Sequence, residues 1–338
     1  QRAAGQRVLE DVDEDYTVYK LSDGSLAFVN DDPDAPIEEN ADALARLARQ
    51  MEEEGRQVLY LQAPQKIGGE GTPTLPAGVE DYGNAWADEL LALLEQEGVD
   101  TLDFRETLAR DGAEWTSYFF TTDHHWTPAA AFLCWQELAQ VLEEEYGLSI
   151  QDKYTDPGQF SVTYYDGVFL GSQGKRTGSA YAGLDLLELW QPLFPTWLTY
   201  SIPIQQETRT GTFQQSLLFP ERLEEDDPFE ANPYTYYSGG DYSFTRTTNH
   251  LDPGGTRIML LRDSFACVFS PFLALACGEL TTIDLRYFQD DFLSYVDWVD
   301  PDLILLLYSP GSLASQDPFS FFDPPDDTAS GSPEGEDA

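Results

Sequence analysis

The chain has 338 residues, of which 61 are acidic and 18 basic, so it carries a formal net charge of −43 at neutral pH. An excess of this size argues against nucleic acid as a partner, because phosphate backbones are bound by supplying cations, and against anionic membrane surfaces. With 41% hydrophobic residues the chain can bury a large core, and no apolar run approaches the roughly 20 residues that span a bilayer.

The chain opens on the polar, acidic stretch QRAAGQRVLEDVDEDY, which does not read as a signal peptide. That is expected of a cytoplasmic protein or of one whose signal or anchor has been removed. YTVYKLSDGSLAFVN then reads as a hairpin turning at Asp23 and Gly24. ENADALARLARQMEEEG has helical periodicity and stops at Gly55, RQVLYLQAP is a short buried strand, NAWADELLALLEQEG is a second helix ending at Gly98, and VDTLDF is the next strand. In TTDHHWTPAAAF, Thr127 is a good helix N-cap, Pro128 suits the first helical position, and Gly147 suits the residue past the end.

From Tyr154 to Gly255 the sequence becomes aromatic, Gly-rich and Thr-rich, and is expected to form a β-rich insertion packed beside the sheet and shaping a cleft. Alternation then resumes: TRIMLL as strand, FACVFSPFLALACG as helix, LTTID as strand, FLSYVDWV as helix and DLILLLYS as a fully buried strand. The pattern predicts an α/β fold with a parallel sheet flanked by helices, one domain over residues 1–320 with residues 154–255 as an insertion within it. Residues 321–338, rich in Pro, Gly, Ser and acid, are expected to be a disordered tail. Cys134, Cys267 and Cys277 lie in apolar helical contexts with no metal spacing, and read as buried thiols.

Two of only three histidines stand side by side next to Asp123. If the approach to Thr127 is extended, Asp123 and His125 share one side while His124 faces the other. A carboxylate beside an imidazole fixes its tautomer and stabilises the imidazolium. Ser264, in LLRDSFACVF, stands where a buried strand meets a helix. In a parallel sheet that is the carboxyl edge where ligands bind, with helix N–H groups available to a developing oxyanion. Taken singly, each feature has a plainer meaning, since a Ser or Asp before a helix often only caps it. A metal site on His124 and His125 is disfavoured because the remaining histidine, His250, completes no ligand spacing. Further rim candidates by strand end are Lys66 with Gln65, Arg286, and Tyr308 with Ser309, while GSQGKRTG, with Gly171, Lys175 and Arg176, is a loop able to cover the cleft.

TDHHWTPAAAF resembles the signature of the DHHW proteins, and LLRDSFACVFSPFLALACGELTTIDLRYF resembles their serine block and following strand. These proteins belong with the SGNH-hydrolase-like group that includes the bacterial alginate O-acetylation proteins. The resemblance runs from about Gln57 to Ser309. It implies an SGNH-like fold, Ser264 as nucleophile, His125 as general base and Asp123 as its partner; the rim positions of Lys66, Arg176, Arg286 and Tyr308 make these four the expected substrate-binding residues. It also implies no cofactor, O-acetyl transfer or O-acetyl ester hydrolysis outside the cytoplasmic membrane of a bacterium, and the company of a membrane-bound O-acyltransferase. A non-catalytic carbohydrate-binding or scaffold protein is the alternative. Arg262 stands where many such serine blocks carry Gly, and Cys267 where the family leads one to expect Asn.

Overall fold

The computed structural model describes residues 17–68, 72–316 and 318–320. The opening acidic segment and the expected tail at 321–338 lie outside them. The hairpin comprises β1 (Tyr19–Lys20) and β2 (Leu26–Ala27), with Gly24 at φ +95° in its turn. Then come α1 (Ile37–Glu53), β3 (Gln57–Gln62), α2 (Gly83–Gln96) and β4 (Asp100–Asp103). A helix not expected from the sequence, α3 (Phe104–Asp111), is next, capped by the Asp103 side chain and ended by Gly112 at φ +75°. The helix after the histidines is α4 (Pro128–Glu144), and the Thr127 side chain accepts from the Ala130 N–H, as its cap chemistry predicts.

The stretch from 154 to 255 holds β5 (Phe160–Phe169), α5 (Ser172–Thr177), α6 (Ser179–Ala182), β6 (Asp185–Pro192), β7 (Leu198–Ile202), β8 (Glu207–Gly211), α7 (Phe213–Leu217) and β9 (Phe244–Asn249). Strand β10 (Arg257–Arg262), α8 (Ala266–Leu273), β11 (Glu279–Ile283), α9 (Phe292–Val299) and β12 (Leu303–Tyr308) complete the chain.

The main sheet has eight strands in the order β4-β3-β12-β10-β11-β9-β7-β8. The first five are parallel, as the alternation of strands and helices predicts, and β9, β7 and β8 continue the sheet antiparallel. The insertion therefore does more than pack beside the sheet: three of its strands lengthen it, while β5 and β6 form a separate hairpin.

Alternation along the central strands feeds two cores. Leu59, Leu61, Ile258, Leu260, Leu303, Leu305 and Leu307 face a cluster built with α4 and α8. Tyr60, Met259, Leu261, Ile304, Leu306 and Tyr308 face a second cluster built with α1, α2 and α9. A β-strand points successive side chains to opposite faces, so a fully apolar strand such as β12 must be covered on both. The parallel strands β3, β12 and β10 end in register, with Gln62 opposite Tyr308 and Leu307 opposite Arg262. The segments that leave these strands are thereby collected at one edge of the sheet.

Candidate active site

At that edge, a cleft of about 530 Å3 is lined by segments following β2, β3, β10, β11 and β12 and by α5. His124, Ser172, Arg176, Ser264 and Arg286 all border it.

His125 Nε2 lies 2.6 Å from Ser264 Oγ, and His125 Nδ1 lies 2.5 Å from Asp123 Oδ1. A carboxylate only accepts, so Nδ1 carries the proton and Nε2 is left to accept from the serine hydroxyl. Asp123 also accepts from the His125 N–H at 3.0 Å and, through its other oxygen, from the Ser172 N–H at 2.7 Å. Burial alone would raise the Asp123 carboxyl, but the imidazoles of His124 and His125 and these hydrogen bonds hold it well below the usual carboxylate range. The Tyr234 ring stacks on the His125 ring, centroids 4.0 Å apart at 16°, and its hydroxyl donates to the Ser264 carbonyl at 3.1 Å. The His125 imidazole is thus held by a carboxylate at its edge and an aromatic face on its plane.

Ser264 sits in a turn fixed from beneath. The Asp263 carboxylate accepts from the N–H groups of Phe265 (2.9 Å) and Ser309 (2.7 Å) and from Ser312 Oγ (2.8 Å), joining the ends of β10 and β12. Asp263, and not Ser264, therefore holds the turn that leads into α8, whose N-cap residue Phe265 it binds. The N–H groups of Phe265, Ala266 and Cys267 are all taken up within this turn, so the helix behind the serine offers fewer free donors than its position suggests. Arg262, 3% exposed, pairs with Asp241 and lies 3.8 Å from Asp284; it also donates to the Gly240 carbonyl at 3.1 Å. Cys267 Sγ donates to Asp241 at 3.2 Å. The two departures from the family pattern thus form one buried polar network beneath the Ser264 turn. All three cysteines are buried and free.

The other rim candidates separate. Arg286 borders the cleft, its guanidinium held on Asp284 at 2.6 and 2.9 Å. Arg176 borders it with its guanidinium 5.1 Å from the Phe28 ring centroid. Lys66 reaches the cleft wall, yet its ammonium is buried and donates to the carbonyls of Leu26 and Asp123, each at 2.6 Å. Burial pulls the Lys66 amine down to about 8 despite nearby carboxylates, and the group braces the hairpin against the histidine segment. Tyr308 is a correction: it does not border the cleft, because strand alternation turns it into the second core, where its ring meets Phe319.

His124 is also a correction. Residues 121–125 are a series of bends, not extended backbone. The imidazoles of His124 and His125 consequently lie on the same side, ring centroids 3.9 Å apart. Asp123, His124 and His125 bring possible metal ligands within 4.8 Å of one another, but both His125 nitrogens already have partners, so a cation there would have to displace one of them. Ser172, Tyr234 and Asp263 were not identified as site residues from the sequence. Gly171 carried the one available signal: a Cβ there would meet Asp123 Cβ at 2.2 Å, so only glycine lets α5 approach that closely.

The sheet, with the strand-end serine and the Asp-His pair at its edge, has an SGNH-hydrolase-like fold. Residues 25–164 match the family described as the SGNH hydrolase-like domain of acetyltransferase AlgX. This match bears out the resemblance drawn from the sequence and the reading of the chain as an SGNH-like acyl-transfer enzyme. The fold is that of Bacillus cereus PatB1 (TM-score 0.76, 20% identity, covering 90% of this chain and 99% of that one). It is also similar to a DHHW family protein from Eubacterium siraeum (TM-score 0.65, 16% identity, 94% and 97%) and to the O-acetyltransferase domain of Pseudomonas putida AlgJ (TM-score 0.54, 16% identity, 91% and 96%). No curated protein matches the chain significantly. Among the described residues no helix is long and apolar enough to cross a membrane.

Proposed function

We propose that the protein transfers an acetyl group, through an acyl-Ser264 intermediate, to a hydroxyl of a carbohydrate outside the cytoplasmic membrane, with water as the competing acceptor. The observation that carries this reading is the run of contacts from Asp123 through His125 to Ser264, at 2.5 and 2.6 Å. His125 takes the Ser264 proton as Oγ attacks the acyl carbon and returns it to the leaving group. In the second half, His125 takes the proton of the incoming hydroxyl while the bond to Oγ breaks. Asp123 holds the tautomer and stabilises the imidazolium. Arg176 and Arg286 are the cationic groups of this reading that face substrate, and a membrane-bound O-acyltransferase is the partner that supplies the acyl group.

The test uses 4-nitrophenyl acetate and a fluorophosphonate probe. Ser264→Ala and His125→Ala are each expected to lose nearly all turnover, and the double variant to be hardly worse than either, because residues acting as a unit give non-additive losses. Unchanged turnover in Ser264→Ala overturns the reading. If wild type neither turns over nor labels at Ser264, a carbohydrate-binding scaffold replaces it.

A further inference from the structure

We propose that His124 and Ser172 form the subsite that holds the attacking sugar hydroxyl, so that this pair, resting on the acyl-serine reading, sets transfer against hydrolysis. Three observations converge on the pair. The His124 side chain is 39% exposed, against 9% for His125 and 5% for Asp123, so within the motif it is the ring left open to the cleft. Its ring lies 3.9 Å from that of His125, and His124 lines the same cleft as Ser264, so its open edge stands beside the reacting groups. Its orientation is set: Nδ1 lies 3.1 Å from Ser172 Oγ, and Ser172 is anchored by its N–H on Asp123.

Nε2 of His124 has no protein partner among the described residues. Although its outer edge is open to the cleft, desolvation by the surrounding walls and the neighbouring His125 lower the imidazole to about 3, so it is neutral in the working range. In either tautomer Nε2 has one hydrogen-bonding function, and a hydroxyl, being both donor and acceptor, satisfies it. Phe28 continues the wall, 5.9 Å from His124, with the Arg176 guanidinium over its ring. This flat, polar-edged wall suits one face of a pyranose. His124 takes no proton in the reaction. The acceptor oxygen bonds to the acyl carbon, its proton goes to His125 and then to Ser264 Oγ, and the bond between Oγ and the acyl carbon breaks.

The experiment supplies 4-nitrophenyl acetate as donor and chitotetraose or cellotetraose as acceptor, and measures acetylated sugar and free acetate by mass spectrometry. His124→Phe, which keeps a ring and loses the hydrogen bond, is expected to lower the ratio of transfer to hydrolysis about tenfold, the worth of one hydrogen bond of ordinary strength. Ser172→Ala should lower it in the same direction through loss of positioning, and His124→Gln should recover part of it with a raised acceptor KM. An unchanged ratio overturns the proposal, as does an equal loss of both products, which would mark His124 as structural. Ser264-dependent hydrolysis with no transfer to either sugar up to its solubility limit overturns the subsite and leaves the acyl-serine reading standing.

Discussion

Lys66 shows how a side chain can be read correctly for place and wrongly for work. Its position after β3 brings it to the cleft edge, but a buried ammonium must spend its donors on whatever carbonyls surround it, and here they belong to Leu26 and Asp123. Its folded pKa, about 8, lies below the ordinary 10.5. Between these values the unfolded chain binds the proton more strongly, so the Lys66 contribution to stability rises with pH from about 8 and levels near 10.5. Denaturation midpoints of wild type and Lys66→Met should therefore diverge in favour of wild type across that window, by up to roughly 3 kcal/mol. A gap that stays constant, or closes, would mean the amine is not desolvated. Asp123 has the opposite sign: its carboxyl is held low, so its contribution is present above about 4 and is lost as pH falls through the folded value. Asp123, His125 and Ser264 were legible because each stands beside a helix or strand boundary that the sequence marks. The side on which His124 falls was not, because the Asp123 side chain captures the His125 N–H and bends a backbone that alternation treats as extended. Tyr308 could have been placed by alternation along β12, which puts it with Ile304 and Leu306.

At the scale of elements, short α5 governs the site although it contributes no group to the proton path. Gly171 and Gly174 let it press onto residues 122 and 123, where added Cβ atoms would meet Asp123 and Thr122 side-chain atoms at 2.2 and 2.8 Å. Gly171 has φ −69°, so alanine there is opposed by space and not by backbone conformation. Gly171→Ala is expected to cost about 1–3 kcal/mol of stability, as overpacking does. Its turnover of 4-nitrophenyl acetate should fall by about 100-fold, since a displacement of Asp123 is passed directly to His125. Urea denaturation and turnover on the same preparation check both, and a variant as active as wild type would mean the clash is relieved without moving the carboxylate. The alternating βα elements were readable from periodicity and Gly stops. Helix α3 was missed even though Asp103 and Gly112 mark its ends. Strands β7 and β9 were not separated within the insertion: LTYSI alternates apolar and polar residues but is short, and FTRTTN has a single apolar residue to mark it as sheet continuation.

For the molecule as a whole, the same acidic excess that argues against nucleic acid also acts on folding. With 61 acidic against 18 basic residues, most carboxylates can have no cationic partner. The surface pairs that do exist, such as Arg257 with Asp300 and Asp302, are exposed, and such pairs contribute about 0–1 kcal/mol each. Repulsion among the remaining carboxylates favours the expanded chain, and its range shrinks from about 30 Å at 0.01 M salt to about 8 Å at 0.15 M. The urea midpoint should therefore rise over that interval with little change in slope, because the surface exposed on unfolding is the same. Hydrolysis of the neutral ester 4-nitrophenyl acetate should change little over the same range, since no long-range attraction guides it to Ser264. A midpoint that falls with salt would mean that the few arginine pairs outweigh the repulsion of the acidic surface.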